Sequence, residues 1–200
     1  AMKQIFCITI TILLSTVKLW SNDDKVNIAL LLTDTYHLLG EGVAKEAQKS
    51  LLQYNIEANI KCYYYSDFDN LTYDSLKDNQ LIFIDIIDPT KIAGVLPLLN
   101  RLAKVPNNTV LAIGSDKAAA LGQNTNILLD KKTLTFYEQS GQENLVAMVL
   151  DQCQRSLGLD IPEQTPIPMP EFALCDVENK KIFDDFEAYK NNYAAYMEGN

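Results

Sequence analysis

Apolar side chains fall in short blocks along this chain, and the period of the blocks changes from one to the next. Val26–Leu32 holds six apolar residues interrupted only by Asn27. A segment apolar on both sides suits the middle of a parallel sheet covered by helices above and below. Thr33-Asp34-Thr35-Tyr36-His37 follows, polar and able to cap a helix. Over 41–54, Val43, Ala47 and Leu51 recur every four residues with Ala44 and Leu52 beside them, which predicts an amphipathic helix ended by Asn55. The run 56–65 reads as a second strand, with Ile60, Cys62 and Tyr64 on one face.

The alternation continues. Residues 66–70 read as a turn and 71–77 as a short helix. The apolar run 81–87 is a third strand, stopped by Asp88-Pro89. A helix over 91–103 carries Pro97, which predicts a kink or a break. Residues 109–113 form a fourth strand, Gly114-Ser115-Asp116-Lys117 leads into an alanine-rich helix, 126–129 makes a fifth strand, and 143–157 is a long helix. Strand and helix in turn, with short links, specify an α/β fold. The expectation is a doubly wound, mainly parallel, five-stranded sheet of flavodoxin-like order.

Both ends differ in kind. Lys3 precedes an uncharged apolar stretch that runs to Val17, and Ser21-Asn22-Asp23-Asp24 close it. Residues 1–22 read as a signal peptide or membrane anchor, with membrane contact through 4–20. The chain is then anchored or exported on the periplasmic side. The competing reading is an ordinary strand, because 7–12 alternates with period two, and the chain is then cytoplasmic. The α/β domain occupies 23–160. Four prolines between 162 and 170 predict an extended linker. Residues 161–200 make up that linker and the start of a further domain, with a short strand over 172–177. A helix over 183–197 carries Phe183, Phe186, Tyr189, Tyr193 and Tyr196 on one side.

Charge narrows the partners. The first 21 residues hold two lysines and no acid, which leaves 15 basic and 26 acidic side chains in the remainder. Such a surface repels phosphate backbones, so nucleic acid is not an expected partner. The cysteines at 7, 62, 153 and 175 form no C-x-x-C pair and the only histidine is His37, which argues against a zinc site built from local motifs. Cys62 and Cys153 sit in apolar runs as plain thiols; a disulfide stays open for an exported chain.

In an open parallel sheet, ligands sit beyond the carboxyl ends of the strands. The candidate substrate-binding residues there are Asp34, Tyr36, His37 and Ser115. His37 can ligate a metal or stack on a flat ligand, or simply cap the helix. The turn at Gly114-Ser115 resembles a phosphate cradle without the full spacing, and equally a plain β–α turn. Tyr63-Tyr64-Tyr65 can border a flat apolar ligand or pack on the sheet. Asp85, Asp88 and Asp116 can meet at the strand edge. No nucleophile stands at a diagnostic spacing from the histidine, so no catalytic residue is assigned.

One further pattern is more specific. Pro166-Ile167-Pro168-Met169-Pro170 is followed by Phe172-Ala173-Leu174-Cys175-Asp176, then by Phe183-Asp184-Asp185-Phe186-Glu187-Ala188-Tyr189 and Tyr193. Over these 30 or so residues the chain resembles the large subunits of cobaltochelatase and magnesium chelatase. Their Pro-rich link, short apolar strand and Phe-Asp-Asp helix follow an α/β region. No histidine stands where that family has His-Pro in the strand. The resemblance implies an N-terminal fragment of a subunit that binds a tetrapyrrole for metal insertion or removal, with nucleotide-hydrolysing chelatase subunits as partners. The fragment itself carries little or no catalytic machinery. The leading segment suits the membrane-associated haem-utilisation branch, in which haem is the substrate and iron is removed. The alternative is an exported α/β domain that binds a small ligand or a partner without catalysis.

Overall fold

A computed structural model describes residues 25–114, 126–168, 174–176, 181–183, 187–188 and 190–191. Four parallel strands make the sheet, β1 (Val26–Leu32), β2 (Ala58–Tyr64), β3 (Leu81–Asp85) and β4 (Thr109–Ile113), in the order β2-β1-β3-β4. Every pairing is parallel: Leu30 lies opposite Cys62 and Phe83, and Phe83 opposite Leu111. The two central strands are β1 and β3, and all five residues of β3 are buried.

The fifth strand is not there as expected. Residues 126–129 contribute one bridge, Leu128 to Leu111, in which the Leu128 amide donates to Val110 and its carbonyl accepts from Ala112. Asp130 follows at once as the N-cap of α5 (Lys131–Gln139), its carboxylate accepting from the Thr133 amide, so the chain turns helical before a ladder can lengthen. This helix was not expected from the pattern.

Helices cover both faces. On one side α1 (His37–Gln53), α5 and α6 (Gly141–Leu157) pack on Ile28, Leu30, Phe83 and Leu111. On the other, α2 (Tyr73–Leu76), α3 (Pro89–Ile92) and α4 (Leu96–Leu102) pack on Leu31, Ile82, Ile84 and Val110. These faces are the alternate residues of the same strands, as the pleat requires. The single helix expected over 91–103 is two. The interruption falls at 93–95 and Pro97 sits in the first turn of α4, where its missing N–H costs nothing.

Beyond α6, β5 (Leu174–Asp176) and β6 (Lys181–Phe183) form an antiparallel pair. The leading segment, Ser115 and most of the aromatic helix lie outside the described residues. Among the described residues, no helix is long and apolar enough to cross a membrane.

Candidate functional site

The chain leaves β1 for β2 on one side, and β3 lies on the other side of β1, so the strand order reverses at β1. The fold places its usual ligand crevice there, outside the carboxyl ends of β1 and β3. In this chain tyrosines close over that place. Tyr65, just past β2, reaches over so that its hydroxyl donates to the Asp85 carbonyl at 2.9 Å and lies 3.4 Å from the Asp88 amide. Burial and the nearby Asp85 charge push its pKa up to about 12, so it stays a neutral donor. From the other side the Tyr137 hydroxyl donates to Asp85 Oδ2, and the ring centroid of Tyr36 lies 6.0 Å from that of Tyr137.

Asp85 is the centre of this arrangement. Its side chain is fully buried at the end of β3, and among the described residues no salt bridge reaches it. Oδ1 accepts from the Ile87 amide at 2.9 Å. Burial raises its pKa, and the hydrogen bonds from Tyr137 and Ile87 oppose that rise. The same burial, with the Asp85 charge, pushes Tyr137 upward, so the pair shares its proton from the phenol side. Gly114 ends β4 against this carboxylate with φ 108°, and a Cβ there would lie 3.0 Å from Asp85 Oδ1. The approach requires glycine on both counts. Asp85 and Asp88 do not meet as an acidic pair: Asp88 Oδ1 takes the Thr90 amide and hydroxyl and caps α3.

The sequence candidates divide. Asp34 is exposed, yet Oδ1 accepts from the Ser66 amide at 3.0 Å, which stitches the loop after β1 to the loop after β2 and holds its pKa down. Tyr36 is half-buried against the α1–α6 core. His37 is exposed as the first residue of α1, its ring stacked on Tyr64 at 4.6 Å and 27°. Tyr64 is held in turn, its hydroxyl 3.0 Å from the His37 carbonyl and 3.2 Å from Glu41 Oε1. Gly40, one turn on, brings α1 close to the sheet: a Cβ there would lie 2.8 Å from Leu32 Cδ1 and 3.0 Å from the Tyr64 hydroxyl. Leu38 beside the histidine is 89% exposed. Thus Tyr36, His37 and Leu38 share one rim, whereas Ser115 lies outside the described residues.

The pattern of polar and apolar positions did not single out Tyr137. Its signal is the spacing of Thr133, Phe136 and Tyr137 after a capping Asp130, the buried side of a short helix. Cys62 and Cys153 are free thiols, pushed up to about 11 and about 12 by burial. Among the described residues no group of three or more His, Cys, Asp or Glu is placed to hold a metal ion. A cleft of about 430 Å³, with Lys25, Lys49 and Leu52 in its lining, lies at the opposite rim.

No protein-family model and no curated protein matches the chain. Among solved structures, the catalytic subunit of cobaltochelatase from Mycobacterium tuberculosis is similar, with a TM-score of 0.51 and 15% identity. The match covers 74% of this chain and 12% of that one. The fold is therefore chelatase-like, and the chain spans about an eighth of the length of the subunit it resembles.

Proposed function

We propose that this chain is the N-terminal part of a chelatase-type large subunit, and that its α/β unit helps to enclose a tetrapyrrole for metal insertion or removal. The carrying observation is the fold likeness to a cobaltochelatase catalytic subunit. It coincides with the Pro-rich link and Phe-Asp-Asp-Phe pattern that follow the sheet. The leading apolar segment favours haem as the substrate, iron removal as the direction, and attachment at the periplasmic side of a membrane. Nucleotide-hydrolysing subunits are the partners such an assembly would use. The domain boundaries proposed are 23–160 for the α/β unit and 161–200 for the link and the start of the next.

The macrocycle would meet the carboxyl rim at His37, Leu38 and Tyr36. An imidazole already stacked on Tyr64 offers an edge nitrogen to a metal, and Leu38 offers an apolar surface. Asp34 would act by holding the loop, since the Ser66 amide already occupies one of its oxygens; Ser115, outside the described residues, is the remaining candidate. The tyrosines over Asp85 leave the chain's own part as enclosure rather than chemistry. Titration with haem and with metal-free protoporphyrin, followed by Soret absorbance, tests this reading. The expected result is saturable binding of both, with the haem shift reduced in His37→Ala. No spectral change at micromolar protein would sink it.

A further inference from the structure

The stretch after α6 forms neither helix nor strand over 158–168, but it is not free. Gly158 ends the helix in a left-handed conformation, with φ 69°. Ile161 is 3% exposed within the α1–α6 core. Glu163 Oε1 lies 3.2 Å from Lys132 Nζ on α5. Farther on, Asn144 grips Ile167 twice: Nδ2 donates to its carbonyl at 2.9 Å, and Oδ1 accepts from its amide at 2.8 Å. A buried amide side chain thus serves Ile167 as a neighbouring strand would.

The direction of this strap matters. Asn144 stands in the first turn of α6 and Gly158 at its end, so the strap retraces the helix. From 144 to 158 the helix rises about 21 Å. At full extension nine residues reach about 28 Å, which leaves room for the turn at Leu159–Ile161 and still returns the chain to the start of the helix. That start adjoins the first turns of α1, because a Cβ on Gly42 would lie 2.9 Å from Gln142 Oε1.

We infer that 158–167 is a positioning clasp with Asn144 as its catch, which fixes the point on the carboxyl rim, beside α1 and His37, from which the chain proceeds past Pro168. This holds whatever the rim binds. Only a side chain with a donor and an acceptor side by side closes the catch. Hydrogen exchange on the whole 200-residue chain tests it. In Asn144→Ala, protection of the Ile167 amide should fall roughly tenfold, while amides of β1 and β3 keep theirs. In Asn144→Asp at pH 7 the carboxylate still accepts from the Ile167 amide, but its second oxygen cannot donate and faces the Ile167 carbonyl repulsively, so the catch is forced open. On acidification the protonated acid donates and accepts again, so protection should return. An Ile167 amide that is unprotected in the parent chain, or equally protected in all three proteins, overturns the inference. If the alanine variant loses protection throughout, the pH response of Asn144→Asp decides: no recovery on acidification counts against the clasp.

Discussion

Tyr137→Phe removes one hydroxyl from the buried centre of the rim and almost no volume. That hydroxyl is the donor to Asp85 Oδ2, on a carboxylate with no exposed surface, and the Ile87 amide serves the other oxygen. A hydrogen bond to a charged group contributes about 1.5–3 kcal/mol, and its loss here leaves a buried acceptor unmet. The working figure is therefore about 2 kcal/mol of stability at neutral pH, a fall in Tm of about 4–8 °C for a chain of this size. The pH dependence has a definite sign. Burial already raises the Asp85 pKa, and losing a hydrogen bond that opposes the rise lifts it further. Between the unfolded value near 3.8 and the folded one, the folded state binds a proton that the unfolded state lacks, so stability rises as pH falls. Below the unfolded value the gain levels off. The deficit of Tyr137→Phe should thus be largest at pH 7 and shrink on acidification. Asp85→Asn supplies the complement: its amide donates to the Tyr137 oxygen, its carbonyl keeps the Ile87 amide, and the buried charge is gone. That variant should equal or exceed the parent at pH 7 and lose this part of the pH dependence. Urea unfolding at pH 7 and pH 5 measures all three. A Tyr137→Phe protein within about 0.5 kcal/mol of the parent at pH 7, the ordinary scatter of surface changes, or a deficit that grows on acidification, refutes the reasoning.

Other outcomes follow from the same geometry. Gly114→Ala forces a side chain into a left-handed backbone against Asp85 and should cost about 2 kcal/mol, read as a shift of the urea midpoint at unchanged slope. Lys132→Met leaves the buried Asp151, which lies 2.8 Å from Lys132 Nζ and 2.7 Å from Arg155, with one cation, and should cost about 1–2 kcal/mol by the same measurement. Cys62, pushed up to about 11 by burial, should have on the order of one thiolate in a thousand at pH 8. Peptide mapping after brief iodoacetamide treatment should find it unmodified in the folded chain and modified in urea.

The legible parts of the fold were those with a single strong period. A nearly continuous apolar run marked β1 as central, and four-residue spacing marked α1, although the helix begins one turn earlier than its apolar face, at His37. The pattern failed where two signals compete over a few residues. Asn126 to Leu129 is apolar enough for a strand, but the capping Asp130 claims the chain after one bridge. The rim was half legible. The rule for open parallel sheets pointed to the loops after β1, β2 and β4, and Tyr36 and His37 stand in the first of these. It could not reveal that Asp34 is engaged by Ser66, or that Tyr65 and Tyr137 arrive from distant segments to cover Asp85, because a hydroxyl that crosses the end of a neighbouring strand leaves no periodic trace.

The absent methyl at Gly40 reaches farther than its own position. His37 precedes it by one helical turn on the same flank of α1, so the clearance there sets how low the helix start settles on Tyr64. The elevation of the imidazole above the strand ends is consequently governed by backbone bulk, and no bond made by the ring itself is needed to hold it. A side chain as small as alanine at 40 would tilt the first turn outward and part the two rings, altering the rim without touching any residue that lines it.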